Sequence, residues 1–164
     1  MSVKTRILVV TLLCSMVALP LLAEVTVQLT ASKVVNTTGK ETLAPADKMK
    51  PGETVEYKAV YKNTDSKTVR NLKADLPVPT GMQFVPNTAS PAAPMASTDG
   101  VTYSKLPLIR KVKGADGQMH DEPVPVSEYR SLRWELGELP AGASKTVSAR
   151  MLLTSPQDLN TQKH

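Results

Sequence analysis

The chain has one cysteine, Cys14, and that residue lies in a leading segment that does not belong to the fold. Without it no disulfide and no thiol chemistry is open to the folded part, whose stability has to come from a packed core. There are two histidines, His120 in a polar turn and His164 at the last position, and they form no pair at metal-ligand spacing. Serine is plentiful, yet no Gly-x-Ser-x-Gly elbow occurs, so the sequence mark of a serine hydrolase is missing. Beyond the first twenty residues there is no long apolar run, and nothing there is expected to span a membrane. The formal charge of +5 is small and evenly spread, which argues against nucleic acid as a partner.

What is present starts with an export signal. Lys4 and Arg6 make a positive start, 7–19 is almost unbroken in its apolarity, Pro20 interrupts it, and Leu21-Leu22-Ala23 ends on a small residue suited to signal peptidase. The run is shorter than the roughly 20 residues of a spanning helix. Thr11-Leu12-Leu13 lacks the small residue expected beside a lipidated cysteine. The reading is a signal helix over 1–23, a folded domain over 24–154 and a flexible polar tail over 155–164, with the mature protein in the periplasm or outside the cell. Cleavage leaves roughly 140 residues, one domain's worth, and lowers the charge by two.

The folded part is organised around one stretch, Pro51-Gly52-Glu53-Thr54-Val55-Glu56-Tyr57-Lys58-Ala59-Val60-Tyr61-Lys62-Asn63. Val55, Tyr57, Ala59 and Tyr61 alternate with polar residues, Val60 excepted. A period of two means a strand with one face buried and one wet. Before it, Val25, Val27, Leu29 and Ala31 alternate within a strand over 24–35, and 40–43 makes a short strand. After it, strands are expected over 69–76, 82–85, 101–103, 106–112, 129–136 and 146–153. The step from Val69 to Leu72 breaks alternation and suggests a bulge. Stretch 87–97, rich in Pro, Ala and Ser, reads as a loop, Asp99-Gly100 as a hairpin turn, and 121–127 as extended and unpaired because of Pro123 and Pro125. No segment keeps a helical period. Short strands between Gly/Pro turns predict an all-β fold, an antiparallel β-sandwich of about seven to nine strands.

Several of these stretches, in this order, carry a resemblance. Pro51-Gly52-Glu53-Thr54-Val55-Glu56-Tyr57 with Asn63-Thr64 resembles the opening of the bacterial conserved repeat domain (domain of unknown function eleven). The likeness continues through Leu76-Pro77-Val78-Pro79-Thr80-Gly81-Met82-Gln83-Phe84-Val85-Pro86-Asn87-Thr88-Ala89 and Thr98-Asp99-Gly100-Val101-Thr102-Tyr103. It closes at Arg133-Trp134-Glu135-Leu136-Gly137-Glu138-Leu139-Pro140-Ala141-Gly142-Ala143-Ser144. The resemblance spans about 43–153 and implies an immunoglobulin-like sandwich in an exported setting. It implies no catalytic or binding residue. Many members are tandem repeats in long surface proteins, whereas this chain holds one copy.

Few residues invite chemistry. Asp116, His120, Asp121 and Glu122 form a local polar cluster without the spacing of a calcium loop, and a solvated loop explains it. Trp134, the only tryptophan, shares a face with Leu132 and Leu136, so the core is its expected place rather than a sugar platform. Lys105, Arg110, Lys111 and Lys113 are the densest basic group and the candidate partner contact; lysines that keep an edge strand from pairing with another chain would look the same. No catalytic residue, metal, cofactor or small-molecule ligand is expected. The expected function is a non-enzymatic exported module that binds or scaffolds a cell-envelope or surface protein. The alternative is a periplasmic chaperone or carrier that offers an edge strand to exported clients.

Overall fold

The computed structural model describes residues 25–155. The expected signal helix over 1–23 lies outside them, as does the polar tail after its first residue. Eleven strands follow in order: β1 (Val25–Thr37), β2 (Lys40–Pro45), β3 (Thr54–Asn63), β4 (Val69–Pro77), β5 (Met82–Phe84), β6 (Met95–Ser97), β7 (Ser104–Lys105), β8 (Ile109–Lys113), β9 (Met119–Pro123), β10 (Ser131–Leu139) and β11 (Ser144–Leu153). A single 3-10 turn, Val126–Glu128, precedes β10. Every strand pairing is antiparallel.

Two sheets form a β-sandwich. The first has the order β2-β1-β3-β11-β5, the second β4-β10-β6-β7, and β8 with β9 makes a separate two-stranded ribbon. The organising stretch becomes β3, at the centre of the larger sheet. Val55, Ala59 and Tyr61 on its alternate face are buried, while Lys58 and Lys62 on the other are exposed. Across the interface lie Ala74 and Leu76 of β4 and Leu132 and Trp134 of β10, with Val147, Ala149 and Met151 of β11 beside β3. The Tyr61 hydroxyl donates to the Asp75 carbonyl at 3.2 Å, which sets β4 over β3. At the rim of the core Asn63 is fully buried. Its amide Nδ2 donates to the carbonyls of Lys67 (2.7 Å) and Leu139 (2.9 Å), and its Oδ1 accepts from Asp65 N, so no polar atom of the side chain is left unmatched.

The strand count exceeds the expected seven to nine for two identifiable reasons. Met95–Ser97 lies in the stretch read as a loop, and three residues are too few to show a period. Met119–Pro123 overlaps the stretch read as unpaired, yet it pairs with β8 from Ile109↔Pro123 to Lys113↔Met119. Pro123 sits at the end of that ribbon, where its missing N–H disturbs little. The Asp99-Gly100 hairpin is longer than a two-residue turn, since Ala96 faces Ser104 across it. The bulge expected between Val69 and Leu72 is present. The pairing of β10 with β4 moves from Glu135↔Lys73 to Gly137↔Leu72 and then to Leu139↔Val69, so each strand carries one extra residue in turn. Asn71 (φ 54°) and Gly137 (φ 69°) supply the left-handed conformations this needs.

The alternation of β1 is not matched by burial. The apolar residues of β1 share the side of the sheet that faces the core, Val27 opposite Tyr61 and Leu29 opposite Ala59. Yet Val27 is 54% and Leu29 53% exposed. The second sheet ends at β4, over β3, and leaves most of β1 without cover. Glu41 of β2 meanwhile receives both terminal nitrogens of Arg150, at 3.2 and 2.8 Å, which fastens the β1–β2 hairpin to β11.

Candidate interaction surfaces

The basic residues singled out in the sequence fall on two elements. Lys105 ends β7 in the second sheet, and Arg110, Lys111 and Lys113 lie on β8 in the ribbon. Alternation then divides the ribbon group. Arg110 turns toward the body: its two terminal nitrogens donate to Glu128 of the 3-10 turn (3.0 and 3.2 Å) and to Glu122 of β9 (3.0 Å). These contacts, Glu122 first and then Glu128, push its pKa upward. Lys111 points the other way and meets Asp121 at 2.7 Å. Lys113 makes no ion pair among the described residues. Two of the four basic residues, Arg110 and Lys111, are therefore paired with acids of β9, a consequence of the pairing of a stretch read as unpaired.

The polar cluster at the ribbon's turn separates in the same way. His120 Nε2 lies 3.0 Å from both carboxylate oxygens of Asp116. Hydrogen bonding from His120, then from Gln118 N, holds the Asp116 carboxyl below its ordinary range. A Cβ at Gly114 would come within 2.7 Å of Asp116 Oδ1 and His120 Cδ2, so a side chain there would push this exposed pair aside. Asp121 and Glu122 are committed to Lys111 and Arg110. Among the described residues no group of three or more His, Cys, Asp or Glu side chains gathers as a metal site.

The ribbon is held at its root. Leu108 and Val124 are buried, Val124 N donates to the Leu108 carbonyl (2.8 Å), and Leu108 N donates to the hydroxyl of buried Tyr129 (3.1 Å). Farther out it meets water on most sides. Ile109 and Met119 share the face of the Lys111–Asp121 pair and are both more than half exposed. A two-stranded ribbon gains little stability alone, so apolar side chains spent on its wet face are unusual.

A third surface is a groove of about 510 Å³ beside β10. Arg133 to Leu136 of β10, Pro91 to Met95, and Lys105 with Leu106 line it. Trp134 itself is buried, with its Nε1–H donating to the Pro91 carbonyl at 2.7 Å, so it is a core residue. Next to it Arg133 forks onto Asp75 (2.6 and 2.7 Å) and lies 3.7 Å from the centre of the Tyr103 ring. The hydrogen bonds that Arg133 donates to Asp75 do most to push its pKa up. The Tyr103 hydroxyl donates to Ser131 Oγ at 3.0 Å. Sequence reasoning missed this arrangement, because Asp75 and Arg133 meet only through the pairing of two strands distant in the chain.

No family model matches this chain, and no curated protein or solved structure matches it either.

Proposed function

We propose that the protein is an exported, non-enzymatic immunoglobulin-like module, a member of the bacterial conserved repeat domain family, and that it binds another cell-envelope or surface protein. The observation that carries the reading is apolar surface left in water at particular places. Val27 and Leu29 lie on the core side of β1, and Ile109 and Met119 lie on the ribbon, all more than half exposed. Single exposed apolar residues are ordinary; Val27 and Leu29, at successive positions on one face of β1, mark a contact surface, and Ile109 and Met119 lie at the two ends of one face of the ribbon. The sandwich supplies rigid strands to present them, and sandwich folds of this kind bind through sheet edges and end loops.

The test is photo-crosslinking in living cells from probes at Lys111 and at Ala31, followed by mass spectrometry. One dominant envelope protein is expected, and its capture at Ala31 should disappear in a Val27→Thr, Leu29→Thr double variant. Capture of many unrelated exported proteins would replace this reading with that of a chaperone. A mature protein that stays monomeric and yields no product at either position would sink both.

A further inference from the structure

The second sheet is incomplete along one side of β10. On its β4 side β10 is paired from Ser131 to Leu139. On the other side β6 pairs with Ser131, Leu132 and Arg133 only. Past Arg133, no strand among the described residues pairs with β10 on that side; the Leu136 carbonyl alone accepts from a side chain, the Lys145 ammonium, and the other backbone groups there are left for a further strand. The reason lies in the chain just before β6. Ser90 bridges to Ser148 of the first sheet, and Pro91 to Pro94 then carry the chain across to the second. Prolines have no N–H, so this crossing segment is unfit to serve as the missing neighbour. The groove lies where that neighbour would run, with Trp134 and Leu136 on its β10 side.

We infer that this groove holds an extended segment of a partner polypeptide, added to the second sheet as a strand against the open side of β10. The inference rests on the protein-binding reading above and names its site and mode. Backbone donors and acceptors in a row at a strand edge are matched by another extended chain and by little else. The rim adds a preference of charge. Of the charged side chains that line the groove, Arg133 forks onto Asp75 and Glu135 lies 3.9 Å from Lys73, which leaves Lys105, without an ion pair among the described residues, as the charge open to an occupant. An acidic side chain suits the β6 end of the groove. An apolar one suits the wall made by Leu106 and Pro94. The occupant is thus an extended stretch with apolar residues at alternate positions and one acid among them.

The probe is a blocked peptide of roughly seven residues, the length of a usual strand, in which valine and threonine alternate around one central glutamate. Trp134, the only tryptophan, reports on the groove by fluorescence, and amide exchange reports on 134–139. The peptide should shift the emission and slow exchange at those amides. Ala92→Phe, which fills the groove from an exposed position, should weaken binding about tenfold, the effect of roughly 1.4 kcal/mol. Lys105→Glu should weaken the glutamate peptide and spare one with lysine in its place. A peptide with proline at alternate positions should not bind. Absence of binding, binding without protection at 134–139, or equal binding of the proline peptide would each overturn the inference. Crosslinking from Ala92 beside Lys111 separates the two claims. A partner trapped at Lys111 with no peptide binding leaves the protein-binding reading standing without this groove, whereas no product at either site removes the reading itself.

Discussion

Trp134 is held by its neighbours in the core and by one hydrogen bond to the Pro91 carbonyl. The two contributions separate by substitution. Trp134→Ala removes a large buried side chain and should cost about 3–5 kcal/mol in urea unfolding. Trp134→Phe keeps most of the packing and leaves one carbonyl without its donor, for about 1–3 kcal/mol. The core position of this residue was legible in the sequence, because it alternates in step with Leu132. Its hydrogen-bond partner was not, since Pro91 comes near only after the chain has crossed between sheets. Asp99 makes a second case. Its carboxylate accepts from Val101 N (2.8 Å), Ser97 Oγ (2.7 Å) and Thr102 N (2.8 Å), and these bonds, Val101 foremost, hold its pKa well below the usual carboxylate range. A depressed pKa adds stability that is fully present above the unfolded value of about 3.9 and is lost as the pH falls through the folded value. Asp99→Asn should therefore lower stability at neutral pH, and the gap to the parent should close as the pH is lowered below about 4. Thermal melts of both proteins at several pH values check the sign.

The elements that the sequence revealed are those long enough to show a period. β3, β4, β10 and β11 stand within three residues of their expected positions, because alternation over eight or more residues excludes a helix. The elements that it hid are β6, too short for a period, and β9, whose flanking prolines suggest a broken strand. The paired bulges of β4 and β10 were half visible. The break after Val69 was in the sequence, while the answering irregularity at Gly137 came from pairing. Gly137 has nothing within 4 Å of a built Cβ, so space does not demand glycine there; its φ of 69° does. Gly137→Ala should cost about 1–2 kcal/mol, the penalty of a left-handed alanine. Gly137→Asn should cost less, because asparagine tolerates that conformation, as Asn71 does on the facing strand. Chemical denaturation of the two variants distinguishes this from a steric account, which would rank the larger asparagine as the worse.

At the scale of the molecule the two sheets differ in width, and this is what the sequence concealed. The apolar alternation of β1 looks like that of β3, but burial depends on how far the opposite sheet reaches. Fold class was therefore readable and the uncovered flank was not. The flank also predicts an imbalance between stability and binding. Val27→Thr with Leu29→Thr should change stability by no more than about 1 kcal/mol, since both side chains already meet water. Val147→Ala, fully buried on β11, should cost about 2 kcal/mol or more. Partner capture should respond in the opposite order. If the flank variants unfolded the protein instead, Val27 and Leu29 would belong to the core.

The placement of β3 has a mechanical side. β1 and β11 flank it, each joined to it by an antiparallel ladder, from Val25↔Asn63 to Lys33↔Val55 and from Ser144↔Lys62 to Leu152↔Thr54. β1 and β11 therefore run parallel to one another. The described chain enters at the Asn63 end of β3 and leaves near its Thr54 end. Tension applied between those two points runs along the strands, and it drags β1 and β11 past β3 in opposite directions. The hydrogen bonds of each ladder are then strained together, in shear, rather than opened one after another like a zipper. A protein joined to its surroundings at both ends of this sandwich is built to resist being pulled.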